Sequence, residues 1–176
     1  VTGLVVAVVV LALVGVWGVY LTWLGGRHDR LTARADGAWA ALDAQLARRA
    51  AAGRAVGVSR GSTSVVAAGD RVLAATGETG PTDLRQDAEN ALGRAMRAAG
   101  WEADDAAELA ELRSAAQRVL LARQFHNDAV RDLFAIRGRP TARLLRWARG
   151  GAQRYFEIDD TVLTGPLRRA PGQDGT

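Results

Sequence analysis

Apolar positions are spread very unevenly along this chain. From Gly3 to Leu24 the sequence reads GLVVAVVVLALVGVWGVYLTWL, without a single charge, and every charged residue lies at or beyond Arg27. A helix of that length, at about 1.5 Å per residue, is roughly 33 Å long and can cross a hydrocarbon layer of about 30 Å. A core helix of a soluble domain keeps a polar face, whereas here only Tyr20 and Thr22 bring polar atoms. A secretory signal needs a basic start, a shorter apolar stretch and a small-residue cleavage site. The run has no basic residue before it and is too long, although Leu24-Gly25-Gly26 is loosely permissive for cleavage. Trp17, Tyr20 and Trp23 sit three apart near its far end, where an interfacial aromatic belt belongs. The pattern therefore predicts a retained single transmembrane helix.

Beyond Gly26 the apolar residues recur every three or four positions, the period of a helix with one buried face. Leu31, Ala35, Ala38, Trp39, Leu42 and Leu46 predict a helix from about His28 to Val56, with a possible kink against the span at Gly25-Gly26 and with Gly53 and Gly57 weakening its far end. Ser59 to Ser64 is a breaker cluster. Val65, Val66, Gly69, Val72 and Leu73 then read as a short second helix, capped by Ser62 or Thr63, or equally as a strand. Residues 77–81 are a loop. Asp83, with Gln86 three residues on, resembles a capping box opening a helix on Leu84, Ala88, Leu92, Met96 and Ala99 that Gly100 stops. The last helix is predicted from about Asp104 to Arg137, acidic at its start and basic at its end, as the helix dipole favours. Short linkers and amphipathic helices predict an all-α fold: an N-terminal transmembrane helix (1–26), then an antiparallel bundle of about four helices, the first and last longest (27–160). The Gly/Pro/Arg-rich tail, 161–176, is expected to be disordered.

Charge sets the expected sidedness. No Arg or Lys precedes the run, while Arg27, Arg30 and Arg34 follow it directly, and Arg48 and Arg49 lie beyond. The positive-inside rule puts the bundle in the cytoplasm and a very short N-terminus outside the cell membrane. The chain begins with Val and its one Met is Met96, which an alternative start codon, read literally, would explain. Cysteine is absent, which excludes a disulfide framework, a thiol nucleophile and a Cys metal site. All 23 basic residues are Arg, so there is no P-loop or Schiff-base lysine. The net charge of +4 is too mild to argue for nucleic acid.

Four stretches share their order with a known family. Ala122-Arg-Gln-Phe-His-Asn-Asp-Ala-Val-Arg-Asp132 resembles the signature of the LemA family, bacterial membrane-anchored helical-bundle proteins. Residues 38–49 are similar to the family's segment after the span, Ala88-Glu89-Asn90-Ala91-Leu92 to its middle helix and Tyr155-Phe156-Glu157 to its closing Tyr-Phe-Glu. The chain departs from that pattern after Arg49, where Ala50-Ala-Ala-Gly-Arg-Ala-Val replaces a His-Asp and a Pro-containing run, and in the second helix. The resemblance implies a single-pass membrane protein with a cytoplasmic bundle, no established enzymatic activity and no known molecular mechanism.

Candidate chemistry is sparse. Gly57-Val-Ser59-Arg-Gly61 matches the nucleophile-elbow string, but that motif needs a strand before it and a parallel sheet around it, so a helix-breaking loop is the better reading. His28 and His126 are the sole histidines and lack metal-ligand spacing, so no catalytic, cofactor or metal residue is assigned. Within the 122–132 motif, Arg123, Phe125, His126, Asn127, Asp128 and Arg131 are read as a polar seam that fixes helix register or docks a partner, with Arg123–Asn127 and Asp128–Arg131 as intrahelical pairs. From Arg137 to Arg154 no acidic residue occurs, and Arg139, Arg143, Arg146, Trp147 and Arg149 form a candidate contact with anionic lipid head groups. The partners expected are the bilayer, through Gly3 to Leu24, those head groups and an unidentified protein. The favoured function is a non-enzymatic, membrane-anchored scaffold or interaction module. The alternatives are a membrane-tethered regulatory subunit of an enzyme and an outward-facing or secreted bundle.

Overall fold

A computed structural model describes residues 2–101, 108–137 and 153–159. The described residues are helical apart from their connections and the extended segment 153–159. The four helices are α1 (Thr2–Ser59), α2 (Thr63–Ala74), α3 (Asp83–Ala98) and α4 (Glu108–Arg137). The fold class is all-α, with the first and last helices longest, as the periodicity predicts.

α1 has 58 residues and is about 87 Å long at the standard rise. It passes through Gly25-Gly26 as uninterrupted helix. Its apolar part is long enough to cross a membrane: its best window has a mean hydropathy of 2.7 and none of that window is buried. With no internal partner, backbone polar groups there are satisfied only by the helix itself, and Thr22 returns its hydroxyl to the carbonyls of Val19 at 2.8 Å and Gly18 at 3.1 Å. Trp17 meets Tyr20 edge-on, Tyr20 stacks with Trp23, and the Arg27 guanidinium lies over the Trp23 ring at 5.9 Å. The aromatic girdle and the first cation are thus one contiguous surface feature.

α4 returns antiparallel along α1. Arg34 pairs with Asp132, Trp39 meets His126, and Gly53 lies within van der Waals reach of Leu112. The register is steady, so α4 ends at Arg137 roughly level with His28. Three buried clusters run along this seam. Ala35, Ala129 and Leu133 lie nearest the span. Trp39, Leu42, Leu46 and Val119 follow. Val56, Val65, Val72, Leu92, Met96, Leu109 and Leu112 close the far end. The α2–α3 hairpin covers only that far half, α2 running back along α1 and α3 turning away again.

Val-rich α2 is helix, not strand, because its apolar residues Val65, Ala68, Gly69 and Val72 make one buried face. Of the two glycines expected to weaken α1, Gly57 has a packing reason that it shares with Gly69 of α2, while a Cβ on Gly53 would meet only ordinary contacts. A Cβ on Gly57 would stand 3.1 Å from Val66 Cγ2, and one on Gly69 would stand 3.1 Å from Arg54 Cβ and 3.3 Å from the Ala50 carbonyl. They let α1 and α2 cross closely. The α3 cap differs by one residue from expectation. Thr82 is extended and its hydroxyl accepts from Arg85 N at 3.1 Å, while Asp83 is already helical and instead pairs with Arg154. Gly100, at φ +69°, ends α3 in the left-handed conformation. The expected start of α4 near Asp104 and the tail 161–176 lie outside the described residues.

Replacing Gly69 by Leu forces α1 and α2 apart at the Ala50 carbonyl. It is expected to destabilise the bundle by about 1–3 kcal/mol, read as a lower thermal midpoint of the full chain in detergent; an unchanged midpoint would show that the crossing is loose.

Candidate functional site

Three of the side chains that the sequence singles out, Arg123, His126 and Asn127, converge on one feature, the extended segment 153–159, which lies as a strap between α3 and α4. An extended backbone outside a sheet leaves its N–H and C=O groups without partners unless side chains supply them. Here they do. Asn127 acts as a second strand in miniature: its Oδ1 accepts from Phe156 N at 3.0 Å and its Nδ2 donates to Phe156 O at 3.3 Å. Arg123 donates to the Ile158 carbonyl at 3.3 Å, and His126 Nε2 lies 3.1 Å from the Arg154 carbonyl. From the opposite wall, Asn90 of α3 accepts from Asp159 N at 3.0 Å. Arg97 pairs with Asp159 at 3.1 Å, and Asp83 pairs with Arg154 at 3.0 Å.

Alternate side chains of the strap point inward. Phe156 is fully buried and Ile158 nearly so, both in the cluster of Trp39, Leu42, Leu46 and Val119. Burying the Phe side chain contributes about 1.5–3 kcal/mol. Trp39 holds the centre: its ring meets Phe156 at 5.4 Å and His126 at 5.5 Å, both edge-on, and its Nε1 donates to the Glu78 carbonyl in the α2–α3 loop at 2.8 Å. Tyr155 stays at the rim against Phe134 at 5.6 Å. The strap thus joins α4 to α3 where their backbones scarcely meet.

Of the six motif residues, Arg123, His126 and Asn127 hold the strap. Arg123 and Asn127, expected to pair along α4, both spend hydrogen bonds on the strap instead. Asp128 and Arg131 do form the expected intrahelical pair, at 2.9 Å on the surface. Phe125 points outward and is 68% exposed. The candidate lipid contact at Arg139, Arg143, Arg146, Trp147 and Arg149 lies outside the described residues. Ser59 of the elbow-like string sits at the end of α1, its hydroxyl returned to the Val56 carbonyl at 3.0 Å.

A second polar cluster was not singled out in the sequence. Asp43 and Arg49 of α1 and Arg85 and Glu89 of α3 are all buried. Arg85 reaches Asp43 at 2.8 Å and Glu89 at 3.5 Å, and Arg49 pairs with Glu89. Arg85 also donates to the Val72 carbonyl, while Asp43 Oδ2 accepts from Gly77 N at 3.0 Å. Two cations thus balance two carboxylates and tie α1, the end of α2 and α3 together. Burial pushes the Glu89 carboxyl above its ordinary range, and Arg49 and Arg85 offset part of that rise. Removing one member of such a buried set strands the others, at about 3–5 kcal/mol. The one sequence clue is the i,i+4 spacing of Arg85 and Glu89, which reads equally as a surface pair. Beside this cluster a cleft of about 890 Å³ opens between α1 and the loop 76–82, with Trp39, Asp43 and His126 in its wall.

Burial lowers the pKa of His126 below its usual value, against the favourable pull of the Arg154 and Ala35 carbonyls. The folded chain therefore holds His126 neutral where the unfolded chain begins to protonate it. Its contribution to stability is complete above about pH 6.5 and is lost as pH falls from there through the lowered folded value. His126→Gln removes the titration. The difference in thermal midpoint between wild type and His126→Gln is expected to narrow or reverse between pH 7.5 and 5.5; a difference independent of pH would contradict a neutral buried ring. No family model, curated protein or solved structure matches the chain.

Proposed function

We propose that this chain is a membrane-anchored, non-enzymatic scaffold of the LemA type, with its bundle on the cytoplasmic face of the cell membrane. The observation that carries the reading is the continuity of α1. One helix supplies both the unburied apolar length and the spine on which α2 and α4 pack. The bundle is rigidly aimed by its anchor rather than hung from a linker. Arg27, Arg30 and Arg34 sit immediately beyond the aromatic girdle, which favours the cytoplasmic side. The residues that carry the resemblance, in 122–132 and in Tyr155-Phe156-Glu157, meet in one contact. α4 ends level with His28, just past the apolar stretch, and this favours a head-group contact for the basic residues that follow, at about 1 kcal/mol for each Arg near an anionic surface.

Two measurements test this. A C-terminal epitope on the full chain should resist protease added to intact cells and be cleaved once the membrane is opened; cleavage from outside overturns the orientation. A fragment of residues 27–176 should co-sediment with vesicles containing anionic lipid, less so at high salt, and should lose most of that binding when Arg143, Arg146 and Arg149 are changed to Gln. Binding indifferent to those changes removes the lipid contact from the reading.

A further inference from the structure

The strap is held in the way a protein holds a peptide. Four hooks engage its main chain: Asn127, Arg123 and His126 from one helix and Asn90 from the other. Main-chain hooks accept any residue, so they supply affinity without choosing a sequence. Selection falls to alternate positions, the division of labour seen where extended peptides are recognised. Phe156 fills the deep pocket against Trp39, Leu42 and Leu46, Ile158 fills the next, and Asp159 meets Arg97. Glu157 points to solvent.

We propose that the α3–α4 groove is a peptide-recognition site whose resting occupant is the chain's own 153–159 segment, and that it takes in trans an extended peptide with an aromatic residue, any residue, an aliphatic residue and then an acidic one. The proposal deepens the scaffold reading by naming how a partner is held. The strap follows α4 in the same chain, only fifteen positions on (138–152 lie between), so it meets the groove as an intramolecular ligand. A free peptide competes poorly against that. A partner segment fixed in the same membrane is concentrated in the same way and can displace the strap, so occupancy is regulated by proximity.

The test is exchange in the full chain, in detergent. A protease site placed between Gly150 and Gly151 is cut after folding, so the groove is assembled before its ligand is freed. A fluorescent peptide of residues 153–159 is then added in excess. The intact chain should take up little of it. The cut chain should bind it saturably, release its own strap and regain thermal stability as peptide is added. Asn127→Ala should weaken that binding at least tenfold, and a peptide carrying Phe156→Ala should not compete. A cut strap that never exchanges, equal binding to intact and cut chain, or binding indifferent to the peptide's Phe156→Ala change overturns the proposal. Each of these leaves membrane topology untouched, so failure here is distinct from failure of the anchored-scaffold reading.

Discussion

Everything in this fold is referenced to one unbroken hydrogen-bonded helix. α1 crosses from a stretch with no protein neighbours into the centre of a bundle without losing register. In a bilayer that is obligatory chemistry, because backbone groups have no other partners there. In water it is a choice, and its consequence is mechanical. The rotation of the span fixes which face of α1 is offered to α4 and to α2. Ala35, Trp39, Leu42, Leu46, Ala50, Gly53 and Val56 trace that face, and each neighbour docks on part of it. α4 takes the whole length and the α2–α3 hairpin takes the far half.

Small side chains set how closely those neighbours come, and charge sets which one comes where. Gly57 and Gly69 remove the Cβ atoms that would hold α1 and α2 apart. α3 approaches α1 by a different route, through Arg85 and Glu89 reaching Asp43 and Arg49. A buried ionic set of this kind is a poor source of stability compared with an apolar core of equal volume. It is a strong discriminator of register, since sliding α3 by one turn would leave four buried charges unmatched.

The helices were legible in the sequence because their signal is local. Periodic apolar residues, a capping threonine or aspartate and a stopping glycine act within a few positions. The apolar stretch was legible because it is uniform: Gly3 to Leu24 carries no charge, and the structure keeps it as unburied helix. The site was half legible. Arg123, His126 and Asn127 stood out as part of the 122–132 motif, but their partner lies about thirty residues on, in a segment too short for its alternation to be read as an element. Asp43 and Arg49 gave still less warning, since in an Arg- and Ala-rich helix a charge beside the buried stripe looks like a solvated flank. Non-local polar pairing is decided by how helices cross, and a one-dimensional pattern does not carry that.

The strap explains why an extended segment belongs in a helical protein. A fifth helix in the α3–α4 gap would satisfy its own backbone and need nothing from its neighbours but apolar contact. An extended chain places every main-chain group at the disposal of the walls, and four side chains here answer it. Those hydrogen bonds hold because the groove is dry around Phe156. Phe156 sits among Trp39, Leu42 and Leu46 of α1 and Val119 of α4, so its pocket is built where those two helices meet. The strap therefore closes over the α1–α4 seam at Trp39, on the same unbroken helix that carries the apolar stretch.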